Sequence, residues 1–368
     1  MVSILSDGPL LVQAHATAAG QQVVEVILNA PDALNALNGD MVDLLLELVP
    51  AWEADEDVIA IVMRGTGSKA FCAGGDIRQL YHEINKGNLD IGEKFFNHEY
   101  TMDLMLHRLA TPLIVWGSGY VIGGGMGLLQ GAAIRVGTHS SRLAMPEVTI
   151  GLFPDVGASY FLRQVPDDLG LFLGLTGAML NGTDGRQLGL LDALLDDEDY
   201  QHVMQALQTM PRQSQRNTLE QAKEQIRSLE SKASSDAHAS NLHIHRPSII
   251  EALNQPSLAS IVASLALLKG QDKWLDRAIQ TMEQGSPTSL HLFYRAFNAG
   301  FTNVADALLQ EYIMGVNAAR LGEFKEGVRA LLIDKDRNPS WRYATVEDTP
   351  TAWIDQFFIT DNVAPAHF

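Results

Sequence analysis

Short apolar runs of strand character alternate with stretches of helical periodicity through the first half of this 368-residue chain, and no other feature restricts the fold so strongly. The runs occupy residues 10–16, 23–28, 58–64, 113–120 and 132–137, while 41–53 and 92–109 are the clearest helical patterns. A chain that alternates in this way buries its apolar faces by laying helices on a sheet, so an α/β architecture is expected. Beyond about Asp199 the strand-like runs stop and the pattern as far as Ala330 is helical. It is interrupted by 231–246, a polar stretch of Ser, Ala, His and Asn that reads as a loop or flexible connection. The expected division is a core over 1–199 and a mainly α-helical region over 200–368, with no exact internal repeat.

Charge and cysteine content narrow the setting. Twenty-six Lys and Arg against 44 Asp and Glu give a formal net charge of −18, which argues against an extended nucleic-acid surface. The one cysteine, Cys72, excludes an intramolecular disulfide and suits a reducing compartment. No histidine lies near it in sequence to lower its pKa, so it reads as a packed thiol and not a nucleophile. No N-terminal segment combines a basic start with an apolar stretch, and no apolar run approaches the ~20 residues of a membrane helix. The expectation is a soluble cytoplasmic protein with no membrane partner.

The reactive chemistry is concentrated between Met145 and Asp155. Glu147 and Asp155 stand eight positions apart among Met, Val, Ile, Leu and Phe. Carboxylates in such company are partly buried, and desolvation and mutual repulsion tune their pKa values. The competing reading makes Glu147 a helix cap and Asp155 a turn former after Pro154. Upstream, an apolar run ends in Gly123-Gly124-Gly125-Met126-Gly127 and continues into a segment that can be a helix. A second glycine loop follows the strand at 58–64 and contains Gly74 and Gly75. Amides bared at a helix start, with the positive end of the helix dipole behind them, stabilise a developing oxyanion, and donors from two loops can grip one carbonyl oxygen. Glycines of this kind also serve simply as tight turns or close strand-helix contacts.

Taken together, Phe71-Cys72-Ala73-Gly74-Gly75-Asp76, the glycine cluster at 123–127 and Met145-Pro146-Glu147 resemble the motifs of the crotonase (enoyl-CoA hydratase/isomerase) superfamily in order and spacing. The segment 146–161, with Glu99-Tyr100 before it and Glu326 to Asp336 near the C-terminus, resembles the 3-hydroxyisobutyryl-CoA hydrolase branch. The resemblance extends from about Asn35 to Trp341 and implies a crotonase-like spiral of ββα turns with a C-terminal α-helical region. It implies oxyanion-hole amides at Gly75 and Gly124, a catalytic glutamate at Glu147, its acidic partner at Asp155 and a substrate-contacting Glu99. Hydratases carry a second glutamate just after the glycine cluster, where this chain has Gly127. Without that residue hydration is disfavoured and thioester hydrolysis favoured.

The implied substrate is a short 3-hydroxyacyl-CoA, 3-hydroxyisobutyryl-CoA foremost, with release of 3-hydroxyisobutyrate and CoA; whether this serves valine degradation stays open. No metal or redox cofactor is expected, since CoA arrives as part of the substrate, and Lys69, Arg78 and Arg64 are candidates to meet its phosphates. The C-terminal helices of crotonase relatives often mediate trimer contacts, so a homo-oligomer is compatible with this reading. An enoyl-CoA hydratase or isomerase, and a non-catalytic acyl-CoA-binding protein on the same fold, are the alternatives.

Other motifs fail. The run from Asp334 begins like a calcium loop but has Pro339 at the sixth position and Thr345 at the twelfth. His243 and His245 lie in the polar stretch without cysteines or carboxylates nearby in sequence and read as exposed loop histidines. Gly157 to Phe161 lacks the closing glycine of a nucleophile elbow, and Leu128 breaks a dinucleotide-type glycine pattern.

Overall fold

The computed structural model describes residues 2–211, 215–230, 239–361 and 363–368. It divides into two compact units: Met1–Gly75, Met102–Leu143 and Leu180–Ser240 form the first, and Asp76–Thr101, Ala144–Met179 and Asn241–Phe368 the second.

The first unit is built on strands β1 (Leu10–Ala16), β2 (Gln22–Leu28), β3 (Val58–Gly65), β4 (Ala70–Cys72), β5 (Leu113–Gly117), β6 (Tyr120–Ile122), β7 (Ile134–Thr138), β8 (Arg142–Ala144), β9 (Leu180–Asn181) and β10 (Ala193–Leu195). A six-stranded sheet runs β1-β2-β3-β5-β7-β10, antiparallel at β1-β2 and parallel elsewhere, and a four-stranded sheet runs β4-β6-β8-β9. A long strand of the first sheet is thus followed by a short strand of the second in three successive turns, β3-β4, β5-β6 and β7-β8. The run read from sequence as one strand over 113–120 is one of these corners. It breaks at Gly119, whose φ is +64° and where a Cβ would lie 2.3 Å from the Lys69 carbonyl oxygen, so only glycine lets the chain turn from one sheet to the other.

Helices α1 (Gly39–Glu53), α4 (Gly124–Gln130), α7 (Gly182–Gln187), α8 (Tyr200–Gln208) and α9 (Gln215–Glu230) complete this unit. Helix α1 starts where Asn38 Oδ1 accepts the Met41 amide at 2.9 Å, and its buried Met41, Leu45, Leu48 and Trp52 follow a helical stripe. Helices α8 and α9 place Val203, Met204, Leu207, Ala222 and Ile226 in one buried cluster with sheet residues that include Ile114, Trp116, Val136 and Leu195. For that reason the chain does not divide at the boundary expected near Asp199. Residues after 199 complete the core of the parallel sheet, whose last strand is β10.

The second unit contains α2 (Ile77–Asn85), α5 (Ala158–Phe161), α6 (Leu169–Thr176), α10 (Asn241–Leu253), α11 (Leu258–Ala266), α12 (Lys273–Gln284), α13 (Pro287–Asn298), α14 (Val304–Leu321), α15 (Glu323–Val328) and α16 (Thr351–Asp355), and the N-terminal part of α3 (Ile91–Arg108). Every residue of α6 is buried, and a Cβ on its Gly174 would lie 2.1 Å from the Phe293 ring, which fixes how closely α13 approaches. The polar stretch expected to be a loop is in part this unit's α10. Residues 231–238 lie outside the described residues, but 241–246 are helical. His245 is correspondingly not an exposed loop residue: it is buried, its ring stacks on Trp274 at 6.0 Å, and its nitrogens face Gln271 at 3.2 Å and Asp272. Its neighbour His243 is exposed. No helix among the described residues is long and apolar enough to cross a membrane.

Candidate active site

The second unit gathers four carboxylates. Glu99 comes from α3, Glu147 opens a 3₁₀ turn at Glu147–Ile150, Asp155 precedes α5, and Glu311 comes from α14; all four are buried. Asp155 accepts the Tyr100 hydroxyl at 2.7 Å. Burial and, next, the Asp155 charge raise the Glu147 pKa well above the usual carboxylate range, and a hydrogen bond from its own amide opposes this only in part. Burial and then Asp155 push Glu99 up to about 8. Asp155 is also raised by burial, to about 6, with the Tyr100 hydroxyl and its own amide pulling the other way. Glu147 Oε2 is buried and has no hydrogen-bond partner among the described residues. Neither carboxylate behaves as the competing reading requires. The turn after Pro154 is closed by the Asp155 carbonyl, which accepts the Ala158 amide at 2.9 Å, while the Asp155 side chain accepts the Tyr100 hydroxyl.

The turn carrying Glu147 is held from behind by the C-terminal motif. A Cβ on Gly151 would lie 2.3 Å from the Glu323 carbonyl oxygen, and one on Gly327 2.2 Å from the Ile150 carbonyl carbon. Ser286 donates its amide to Val148 O at 2.9 Å and its hydroxyl to Glu323 at 2.9 Å. Asp334 and Asp336, which open the rejected calcium pattern, hold the Arg329 guanidinium at 2.6 and 2.7 Å, and Glu326 holds its other side. Glu311 gives no signal in the sequence, and Tyr100 and residues 326–336 enter only through the resemblance, which gives them no role in the site. The pairings join residues 55 and 152 to 154 positions apart, beyond the reach of any local pattern.

The two glycine loops belong to the first unit and leave adjacent parallel strands. β4 pairs with β6 through Cys72 and Val121, Gly75 lies just beyond β4, and Gly124 is the first residue of α4, where amides have no intrahelical acceptor. A Cβ on Gly125 would lie 2.2 Å from the Cys72 carbonyl oxygen, so the helix starts directly against β4. Cys72 itself is fully buried, with its thiol 3.5 Å from Gly74 O. Of the three cations proposed for phosphate, Lys69 and Arg78 are exposed. Arg64 is not available: it is 2.7 Å from Glu25 and lies over the Tyr200 ring.

The sequence model for the enoyl-CoA hydratase/isomerase family matches residues 23–358. The chain belongs to that family. Within it, this enoyl-CoA hydratase/isomerase family member is 33% identical to the mitochondrial 3-hydroxyisobutyryl-CoA hydrolase of Xenopus tropicalis, over 90% of this chain and 85% of the relative. It is 33% identical to 3-hydroxyisobutyryl-CoA hydrolase 1 of Arabidopsis thaliana, over 90% and 87%. Among solved structures, a carnitinyl-CoA dehydratase from Mycobacterium thermoresistibile superposes with a TM-score of 0.81 at 28% identity, covering 97% of this chain and 98% of the other. An enoyl-CoA hydratase from Rhodobacter sphaeroides gives 0.80 at 28%, covering 94% and 96%. The expected crotonase-type α/β fold with a helical C-terminal region stands. The cytoplasmic placement does not: the Xenopus tropicalis relative and that of Danio rerio are both mitochondrial, so a reducing setting inferred from one cysteine does not select the cytoplasm.

Proposed function

We propose that this family member hydrolyses the thioester of 3-hydroxyisobutyryl-CoA or a close short 3-hydroxyacyl-CoA, and that valine degradation is the pathway the substrate implies. Relatives of that activity support the reading across nine-tenths of the chain. The observation that carries it is Glu147 Oε2, a buried carboxylate oxygen with no partner among the described residues, on a group whose pKa is raised by burial and by the Asp155 charge. Such a group is poised to act on something other than protein.

In this reading the amides of Gly75 and Gly124 stabilise the charge that develops on the carbonyl oxygen, each donor contributing ~3 kcal/mol in comparable sites. Glu147 in its ionised form delivers the attack, as a nucleophile that forms a mixed anhydride or as the base that takes a proton from water. The C–S bond then breaks, CoA leaves as the thiolate and takes up a proton, and one water is consumed. Asp155, held by Tyr100, orients the water or the substrate hydroxyl, and Glu99 contacts the substrate. The stoichiometry requires no metal or redox cofactor. A homo-oligomer is part of the proposal, by analogy with the C-terminal helices of crotonase relatives.

The hydratase reading is kept as the second because two solved hydratase-type structures superpose so closely. Incubation with 3-hydroxyisobutyryl-CoA, crotonyl-CoA and a 3-enoyl-CoA separates the two. Free thiol is expected from the first substrate, with little or no hydration of the second; efficient hydration without thiol release overturns the hydrolase assignment.

A further inference from the structure

The backbone between Asp155 and α5 adopts a conformation its own residues disfavour. Val156 sits at φ +52° and Gly157 at +88°. The left-handed region is costly for a β-branched residue, and such a turn persists only where its surroundings impose it. No side chain at the N-cap position of α5 satisfies the amides there. Glu311, fully buried on α14, does so from 154 residues away in sequence. Its Oε2 accepts the Gly157 amide at 2.6 Å, and its Oε1 accepts the Ser159 amide at 2.9 Å and the Ser159 hydroxyl at 2.6 Å. Three donors thus converge on one carboxylate, immediately after the residue whose own carboxylate meets Tyr100.

An interior carboxylate is an expensive way to satisfy two amides, since a neutral Ser or Asn at the N-cap does so at less cost in desolvation. What a rigid, doubly accepting carboxylate supplies is a fixed position for both amides at once. We propose that Glu311 is a positioning residue for the hydrolysis: it pins the left-handed Val156–Gly157 turn and so fixes the Asp155 carboxylate against Tyr100. The inference rests on the role given to Asp155 above.

The test is a set of variants assayed by thiol release from 3-hydroxyisobutyryl-CoA. Glu311→Gln keeps the side-chain length but turns an NH₂ toward one of the converging donors. The expected result is a loss of about 10-fold or more in kcat with KM changed by less than about 2-fold, because the group acts on geometry at the reacting step and not on substrate affinity. Val156→Gly lets residue 156 enter the left-handed region without outside help. The Glu311→Gln/Val156→Gly double variant is therefore expected to regain at least about 3-fold in kcat over Glu311→Gln, measured against Val156→Gly alone.

A purely structural carboxylate would not be rescued in this way. Parental kcat in Glu311→Gln, or a double variant no faster than Glu311→Gln, overturns the proposal. If Glu311→Gln does not fold, Ser159→Ala, which removes one of the three donors, is read instead: a loss of about 3-fold in kcat supports the proposal and a parental kcat overturns it. Asp155→Asn is assayed in parallel. Parental turnover there overturns the role of Asp155 and with it the proposed function; impaired Asp155→Asn beside parental Glu311→Gln overturns only the positioning role.

Discussion

Glu147 stands where a carboxylate is costly, buried and facing the charges of Asp155 and Glu99, and its free oxygen is not used to cap or brace the fold. Glu147→Gln keeps the shape and removes the ionisation. Thiol release in a single turnover is expected to fall by ~10²-fold or more, the usual scale for losing a general base. Asp155→Asn is expected to impair the same step, and the double variant to lose less than the sum of the two, because both groups serve one attack. Turnover of Glu147→Gln close to that of the parent would remove Glu147 from the chemistry.

A single contact decides the geometry of α4. The helix begins against β4 so tightly that the hydrogen on Gly125 is the only substituent that fits beside Cys72 O. Gly125→Ala places a methyl group against backbone, which cannot swing aside as a side-chain tip could. Both Tm and kcat are expected to drop, the latter by about 10-fold or more if the Gly124 amide is an oxyanion donor displaced with the helix. A drop in Tm with unchanged kcat would make the glycine cluster a packing device and no more. The turn bearing Glu147 shows the same principle: Gly151 and Gly327 are the points where α15 and the turn touch backbone to backbone.

For the whole molecule, the buried carboxylates set how stability depends on pH. Glu99 is pushed up to about 8 and Asp155 to about 6, chiefly by burial. Between the usual carboxylate range and these values the folded chain holds protons that the unfolded chain has released, so stability falls as pH rises through that window. In the opposite direction, Glu25 and Asp192 are held below their ordinary values by hydrogen-bonded partners, against the effect of burial, and their contribution is lost on acidification below that range. A stability maximum on the acidic side of neutrality is expected. Glu99→Gln, which cannot ionise, should raise Tm relative to the parent at pH 8 and by much less at pH 5. An equal shift at both pH values would show that the Glu99 proton plays no part.

The apolar alternation of the chain by itself determined the α/β core. Residues 10–16, 58–64 and 132–137 read as strands, and the structure places β1, β3 and β7 there in one sheet. The motifs at 71–76, 123–127 and 145–147 carried the family, because the glycines and the acidic residue are needed locally, for tight turns and a buried carboxylate. What the tertiary structure decided was everything that depends on distant partners. Strands β4, β8, β9 and β10 are two or three residues long, too short for any period, and exist only because a neighbouring strand supplies their hydrogen bonds. The units interleave along the chain because α8 and α9 bury their apolar faces on the first sheet, whatever their place in sequence. Arg64 was lost as a phosphate ligand to Glu25, and Glu311 was found at Gly157 and Ser159, for the same reason: a charge is assigned its role by the groups that desolvate and meet it, and those lie elsewhere in the chain.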